Sequence, residues 1–217
     1  MYLTGVQLVP NTKDRILAGK LMHSWRHVED IVSAFLPRKW EVGGVRKLNV
    51  ILELEIPVVH DFVMNSDSCE VRRLGFNASA FLGLNETAQD SASLSMLEDG
   101  IRIACSRNNV PDGPGVDAVR RTKEAGFRFQ WSMRKLAKWN PSRSCRAEIV
   151  VTFCRGGTDV ALRVTGRQGI ASPDVPLTKG EYWPSVWFEY FESRWESSEF
   201  VVRNRTGEET LRREIAA

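Results

Sequence analysis

The residues best suited to chemistry in this sequence are arginines that alternate with apolar residues between Gly126 and Gly166. Successive side chains of a strand point to opposite faces, so the alternation predicts a sheet with one apolar face and one cationic face. Trp139 lies beside Lys138 and adds an aromatic ring to these charges, a combination that suits a protein interface or a stacked base. The predicted partner-binding residues are Arg128, Arg134, Trp139, Arg146, Arg155, Arg163 and Arg167.

The cationic face has three interpretations. It can be a solvated sheet face whose charges are balanced by Glu148 and by glutamates of the C-terminal segment. It can bind an acidic protein, or it can bind nucleic acid. The net charge of +3 is too small to favour nucleic acid without a local cluster of positive charge.

Three histidines offer a second kind of site. His23 and His27 are four residues apart, so both can project from one side of a helix and share a metal ion. A catalytic zinc site usually needs three protein ligands, and the remaining histidine is His60. The simpler interpretation places His23 and His27 on the polar flank of an amphipathic helix.

A pair of carboxylates gives a third candidate. Glu53 and Glu55 are two residues apart in a predicted strand and therefore point to the same face. Such a pair can hold Mg²⁺ or act as acid and base in a hydrolase or nuclease. It can equally form the wet edge of a half-exposed strand.

Nucleophilic catalysis has little support in the sequence. The available set is His60 and Asp61 with Cys69 or Cys105, and its spacing matches no pattern. The chain contains no GxSxG, no Walker loop and no GxGxxG after a strand, so we expect no cofactor. Four widely spaced cysteines and a first segment without the features of a signal peptide predict reduced thiols in the cytoplasm.

The elements that must position these residues begin with a strand at Tyr2–Val9, ended by Pro10. A helix follows, with Asn11 as its cap and Asp14 in its first turn. Pro37 ends this helix, because a residue before proline is pushed out of the helical region. Its buried stripe is predicted to contain Leu17, Leu21, Trp25, Val28, Val32 and Phe35.

The middle of the chain mixes both element types. Alternation predicts a strand at Lys47–Val59 with a partner strand at Cys69–Leu82. Composition predicts a helix at 86–99, which either continues to Cys105 or gives way after Gly100 to a short strand.

Another helix is predicted from Val116 to Ala125. It follows a break, rich in proline and glycine, at 108–115.

The cationic stretch is predicted to contain a hairpin. Gly156 and Gly157 can take the positive φ of a two-residue turn. Placing them in the loop sets the register, with the pairs Phe153–Val160, Val151–Leu162, Ile149–Val164 and Arg146–Arg167. The last pair opposes two like charges, which destabilises a sheet unless an anion lies between them.

The end of the chain is ambiguous. Residues 183–191 have a four-residue aromatic repeat typical of a helix, but Val186, Phe188 and Tyr190 favour a strand, which we prefer. A further strand is predicted at Glu199–Arg205, and a polar tail with a weak final helix at Arg203–Ala217.

These patterns predict an α+β fold, with one mainly antiparallel sheet of about six to nine strands and two or three helices on its apolar face. The 217 residues are expected to form a single globular domain. We expect a non-enzymatic protein-interaction module, for example an inhibitor or a toxin-neutralising immunity protein, with an acidic protein as partner and no membrane contact. The alternatives are a nucleic-acid-binding protein and a metal-dependent hydrolase.

Overall fold

The computed structural model describes residues 1–54, 62–181 and 183–215. The chain divides into two compact units, Met1–Phe129 and Gln130–Ala217. The described residues form five α-helices and twelve strands, which confirms the α+β class. The strands lie in three sheets instead of one. The single domain stays a prediction.

None of the helices among the described residues combines the length and the apolarity that a membrane span requires.

The sheet of the first unit is mixed. It contains β1 (Gly5–Asn11), β2 (Lys47–Glu53), β3 (Phe62–Met64) and β4 (Ser68–Arg73), in the order β1-β2-β4-β3. β1, β2 and β4 run parallel, and β3 is antiparallel to β4. The prediction of a partner strand at 69–82 is therefore correct only for its first part.

The second part of that predicted strand is a helix, α2 (Ala78–Leu82). Asn77 caps it, with its Oδ1 accepting a hydrogen bond from the Ala80 amide at 2.9 Å. Phe81 is the only buried residue of α2. The alternation of small and apolar residues in this stretch, which predicted a strand, therefore belongs to one helical turn.

The first long helix, α1 (Arg15–Phe35), has the predicted buried stripe but a different cap. Asp14 caps it through hydrogen bonds from the amides of Ile16 and Leu17, whereas Asn11 is the last residue of β1. Side chains of α1 also accept hydrogen bonds from backbone amides on the outer edge of β1. The amides of Val6 and Leu8 donate to Ser33 Oγ and Glu29 Oε1, at 3.1 and 2.5 Å, which protects this edge from pairing with another chain.

The core of the first unit lies between this sheet and its helices. α3 (Glu86–Arg107) continues without a break through Gly100, and no strand follows it. A Cβ atom at Gly100 would lie 2.3 Å from Val50 Cγ2, so glycine here allows the helix to touch β2. α4 (Gly113–Glu124) is packed closely in the same way, because a Cβ atom at Gly115 would lie 2.5 Å from both Ile101 and Trp40.

The larger sheet of the second unit has the order β5-β7-β8-β9, with β6 also paired to β7. Its strands are β5 (Phe129–Ser132), β6 (Lys138–Trp139), β7 (Cys145–Cys154), β8 (Gly157–Gly166) and β9 (Val175–Glu181). A 3₁₀ turn at Arg134–Leu136 separates β5 from β6, so the alternating pattern gives a strand only as far as Ser132. The apolar residues of β7 from Cys145 to Phe153 are buried as predicted.

The β7–β8 hairpin has a register two residues away from the predicted one. Phe153 pairs with Thr158, and Arg146 pairs with Thr165 instead of Arg167. The turn consists of Arg155 and Gly156, while Gly157 is the first residue of β8. A Cβ atom at Gly157 would lie 2.6 Å from the Gly180 carbonyl group, so the approach of β9 requires glycine here. A shift of two residues leaves every side chain on its predicted face.

The end of the chain differs most from the sequence prediction. Residues Trp183–Glu189 form a helix, α5, because Val186 and Tyr190 are buried together one turn apart. The predicted strand near 199 is confirmed as β11 (Glu199–Arg203), between β10 (Glu192–Glu196) and β12 (Glu209–Glu214). β12 therefore covers six residues of the predicted polar tail, and no helix forms among its described residues. Its charges form cross-strand ion pairs, such as that of Arg212 with Glu199 at 2.6 Å.

Candidate binding surface

Part of the predicted cationic face is neutralised inside the second unit. Arg163 lies directly opposite Glu148 in the β7–β8 ladder, and its guanidinium donates two hydrogen bonds to Asp174, both at 2.7 Å. These contacts raise the pKa of Arg163 and lower the pKa of Asp174. Arg163 also donates to Gln130 Oε1 at 2.8 Å. A partner would have to displace several hydrogen bonds to reach this guanidinium.

Two other predicted residues lie outside the β7–β8 ladder. Arg155 forms the β7–β8 turn, at the opposite end of the hairpin from Arg146. Arg128 precedes β5 and belongs to the first unit. Sequence alternation placed them on one surface because it carries no information on where a strand begins or ends.

Three predicted residues come together at the other end of the sheet. Trp139 pairs with Arg146 across β6 and β7, and directly paired residues place their side chains on the same face. Arg167 continues the ladder beyond β8, since its amide donates to the Ser144 carbonyl oxygen at 2.8 Å. Trp139 is 48% exposed and the Arg146 side chain is 40% exposed, so both can contact a partner.

Two residues that the sequence analysis did not select complete this surface. Arg143 lies in the turn between β6 and β7 and is exposed. Ile170 is 71% exposed and lies in the turn that carries Arg167. We call the set of Trp139, Arg143, Arg146, Arg167 and Ile170 the Trp139 corner.

Two of the three arginines of the Trp139 corner have no carboxylate partner among the described residues. The third, Arg146, is paired with Glu148, with its Nη2 at 3.5 Å from the carboxylate. Within the described ranges, no carboxylate lies within 4.0 Å of the charged groups of Arg143 or Arg167. The sequence contained a signal for this, because residues 125–147 include six lysines and arginines and no acidic residue.

Arg134 lies in the chain before the corner, and its neighbours Lys135 and Lys138 contribute to another surface. Arg134 is exposed in the 3₁₀ turn between β5 and β6. Lys135 Nζ lies 3.7 Å from the centroid of the Phe191 ring, which is a cation–π contact. Lys135 and Lys138 line a cavity of ≈ 230 Å³ with Phe191, Glu192 and Ser193, and Lys138 alternates with Trp139 along β6.

The histidine hypothesis finds no support among the described residues. His27 is buried, with Nε2 at 3.1 Å from Asp90 Oδ1 of α3, while His23 is exposed on the same helix. His60 lies outside the described residues. In the part of the chain that the structure describes, no group of three or more His, Cys, Asp or Glu side chains could hold a metal ion.

The carboxylate hypothesis concerns Glu53, because Glu55 lies outside the described residues. Glu53 is buried at the carboxyl end of β2, where it accepts hydrogen bonds from Asn11 Nδ2 at 2.5 Å and Arg72 Nη1 at 2.9 Å. Both of its oxygens are therefore occupied by side chains of the neighbouring parallel strands. This arrangement is that of a structural ion pair.

The cysteines that were considered as nucleophiles are poor candidates. Burial raises the pKa of Cys69 and of Cys105 to about 11, so both are protonated thiols at neutral pH. His60 and Asp61, their proposed partners, lie outside the described residues. All four cysteines are free thiols.

The chain was compared with known families, curated proteins and solved structures. No family model, curated protein or solved structure matches it.

Proposed function

We propose that this protein is a non-enzymatic interaction module that binds an acidic protein partner through the Trp139 corner. The observation that carries the proposal is an exposed Trp139 on the same end of the sheet as Arg143 and Arg167, for which no described residue supplies a carboxylate within 4.0 Å. Tryptophan and arginine are the residues that most often dominate the energy of protein interfaces. More specifically, the proposed role is that of an inhibitor or toxin-neutralising immunity protein in the cytoplasm. Such a protein needs a rigid complementary surface and no catalytic group.

The shape of the corner supports a compact acidic patch as its target. Its backbone is held by hydrogen-bonded strands and two tight turns, so little loop ordering is needed on binding. The positive charges of the Trp139 corner are confined to one end of a sheet. A protein that binds single-stranded nucleic acid would instead be expected to have a basic groove with several aromatic rings along it for base stacking.

The experiment is affinity capture from an extract of the source cells, followed by measurement of the purified pair. The test variant combines Trp139→Ala, Arg146→Glu and Arg167→Glu, and we expect it to weaken binding at least a hundredfold. Raising the salt concentration should weaken the wild-type complex, chiefly by slowing association.

The matched control carries Lys179→Glu and Arg213→Glu, the same charge reversals at exposed positions on β9 and β12. It should bind like the wild type. Equal affinity of the test and control variants for the captured protein would refute the proposal. Tight binding of a single-stranded oligonucleotide at physiological salt, lost in the test variant, would favour nucleic acid instead.

A further inference from the structure

The turn between β6 and β7 is organised by the side chain of Asn140, which is buried. Its Oδ1 accepts hydrogen bonds from the amides of Ser144 and Cys145, at 2.9 and 3.2 Å. These bonds fix the orientation of the side-chain amide, so Nδ2 is the donor in its 2.9 Å contact with Ser144 Oγ. The Arg143 amide also donates to the Asn140 carbonyl oxygen at 2.9 Å. The turn therefore holds the backbone between Asn140 and Cys145 in one conformation.

The two serine hydroxyls of this turn leave one hydrogen for an external acceptor. Ser142 Oγ and Ser144 Oγ are 3.0 Å apart, and either of them can donate to the other. Asn140 Nδ2 supplies its own hydrogen to Ser144 Oγ, so it takes no hydroxyl hydrogen. The bond between the serines uses one of the two hydroxyl hydrogens, and no described residue accepts the other. Since Ser142 is exposed, the turn presents a hydrogen-bond donor to solvent.

Two arginines beside these hydroxyls have no carboxylate partner. Arg143 and Arg167 are exposed, and no carboxylate of the described ranges lies within 4.0 Å of either guanidinium. Arg167 lies directly opposite Ser144, because its amide donates to the Ser144 carbonyl oxygen at 2.8 Å and continues the β7–β8 register. Directly opposite residues of antiparallel strands place their side chains on the same face. The hydroxyl donor and both positive charges are therefore concentrated at one end of the sheet.

The backbone of Arg143 indicates a role for its side chain. Its φ of 55° lies in the left-handed region, which glycine and asparagine adopt more readily than arginine. Residues held in such conformations cluster at functional sites. The side chain of Arg143 forms no ion pair with a described residue that would explain an arginine in this conformation.

We propose that the turn at 140–144, together with Arg167, binds the phosphomonoester group of a phosphorylated side chain on the partner. The inference rests on the proposed function and specifies the acidic group that the Trp139 corner recognises. A phosphomonoester has a charge of about −2 at neutral pH and three strong acceptor oxygens. It therefore matches the guanidinium groups of Arg143 and Arg167 and one hydroxyl donor, whereas a carboxylate supplies about half of that charge.

The test uses the full chain and five small probes, monitored by amide chemical shifts. One probe is a tripeptide with blocked ends and phosphoserine between two alanines, and two others carry glutamate or serine at the same place. The last two are inorganic phosphate and a single-stranded tetranucleotide. We expect the phosphoserine peptide to bind at least tenfold more tightly than the glutamate peptide, with shift changes at 142–145 and Arg167. The serine peptide should not bind.

The pH dependence of binding tests the charge of the ligand. The phosphoserine peptide should bind several times more weakly at about pH 5 than at about pH 7.5, because the phosphate gains a proton with a pKa of about 6. The glutamate peptide should show a smaller change over the same range, since a glutamate carboxyl titrates near about 4.3. Equal pH dependence of the two peptides would contradict recognition of a dianion.

Arg143→Gly separates binding from folding. Glycine adopts the positive φ of this position readily, so the midpoint of urea unfolding should not fall. The affinity for the phosphoserine peptide should nevertheless fall at least tenfold, and Arg167→Gln should have the same effect on binding. The control is Arg213→Gln, which removes an exposed arginine of β12 and should bind the peptide like the wild type.

Four results would overturn the inference. The first is unchanged affinity of Arg143→Gly and Arg167→Gln for the phosphoserine peptide, and the second is equal affinity of the wild type for the glutamate peptide. The third is tighter binding of the tetranucleotide, which would assign the site to the phosphodiesters of nucleic acid. The fourth is inorganic phosphate that binds as tightly as the phosphoserine peptide, which would assign the site to a free phosphate ion.

The captured partner distinguishes failure of this inference from failure of the proposed function. If phosphatase treatment of that protein leaves its affinity unchanged, while the triple variant at Trp139, Arg146 and Arg167 still weakens binding, the phosphate inference alone is refuted. If the phosphoserine peptide binds as expected, but the captured protein binds the triple variant and its control equally, the proposed function is refuted and the phosphate site remains.

Discussion

Glu148 and Arg163 face each other directly across the β7–β8 ladder, and Glu148 also accepts a hydrogen bond from Ser132 Oγ at 2.8 Å. Arg146 Nη2 lies 3.5 Å from the same carboxylate. Glu148 therefore stands between two arginines on one face of the sheet. The opposition of like charges expected from the sequence does not occur, because the register places Thr165 opposite Arg146 and Glu148 opposite Arg163.

Glu148→Gln should lower the free energy of unfolding by about 1–2 kcal/mol, because a hydrogen bond to a charged group is lost at a largely buried position. Urea unfolding at neutral pH measures this effect. The control is Glu199→Gln, which removes a half-exposed partner of Arg212 and should change stability by less than about 0.5 kcal/mol. Equal effects of both substitutions would show that Glu148 has no special structural role.

Asp30→Asn should make the protein more stable at neutral pH. Burial raises the pKa of Asp30 to about 6, against about 3.9 in an unfolded chain. A raised pKa in the folded state favours folding below about pH 4, and this contribution is lost as the pH rises through about 6. The gain in Asp30→Asn over the wild type at pH 7.5 should be on the order of 2–3 kcal/mol, and it should vanish near pH 4.

The measurement is urea unfolding of the wild type and Asp30→Asn at several pH values, so that other titrating groups cancel in the difference. Asp67→Asn, an exposed position before β4, is the control and should follow the wild type. A difference between wild type and Asp30→Asn that is the same at every pH would contradict the titration of Asp30.

Gly100→Ala should destabilise the protein although alanine is the better helix former. The new Cβ atom would lie 2.3 Å from Val50 Cγ2 in the core, and overpacking of this kind costs about 1–3 kcal/mol. Gly19→Ala is the matched control, because Gly19 lies inside α1 and a methyl group added there would have nothing within 4 Å. It should stabilise the protein by about 0.5–1 kcal/mol.

A second substitution tests the cause of the Gly100 effect. Val50→Ala removes the methyl group that the new Cβ atom would meet, so it should destabilise less in the Gly100→Ala background than in the wild type. Thermal or urea unfolding of the four proteins gives the interaction energy. If the effects of Gly100→Ala and Val50→Ala on the free energy of unfolding simply added, the clash would involve a residue other than Val50.

Arg72→Met should lower the free energy of unfolding by about 3 kcal/mol, because it leaves the buried Glu53 carboxylate without its cation. Combining it with Glu53→Leu should recover most of the loss, since two apolar side chains can replace a buried ion pair at little net cost. Unfolding in urea compares the single and double variants. If the double variant lost more than Arg72→Met, Glu53 would contribute through its contact with Asn11 instead.

The pattern of the sequence was sufficient where structure follows from local periodicity. The stripe from Leu17 to Phe35 predicted α1, and alternation predicted the buried face of β7, because the helix and the strand each impose their own repeat on apolar residues. Arg146 and Arg167 could be selected for the same reason, because alternation places them on one face whatever the exact pairing. Trp139 was selected only as an aromatic residue with basic neighbours, and its position on this face follows from the pairing of β6 with β7.

Contacts between residues distant in sequence determined the packing of α3, the type of the last elements and the arginines that remain available. The contact of Gly100 with Val50 brings α3 against β2, the burial of Val186 and Tyr190 makes α5 a helix, and pairing with β11 makes the charged end of the chain a strand. Asp174 determines which arginine is available, because it binds Arg163 and leaves Arg167 to solvent. These partners are distant in sequence, and local periodicity carries no information on the energy of such contacts.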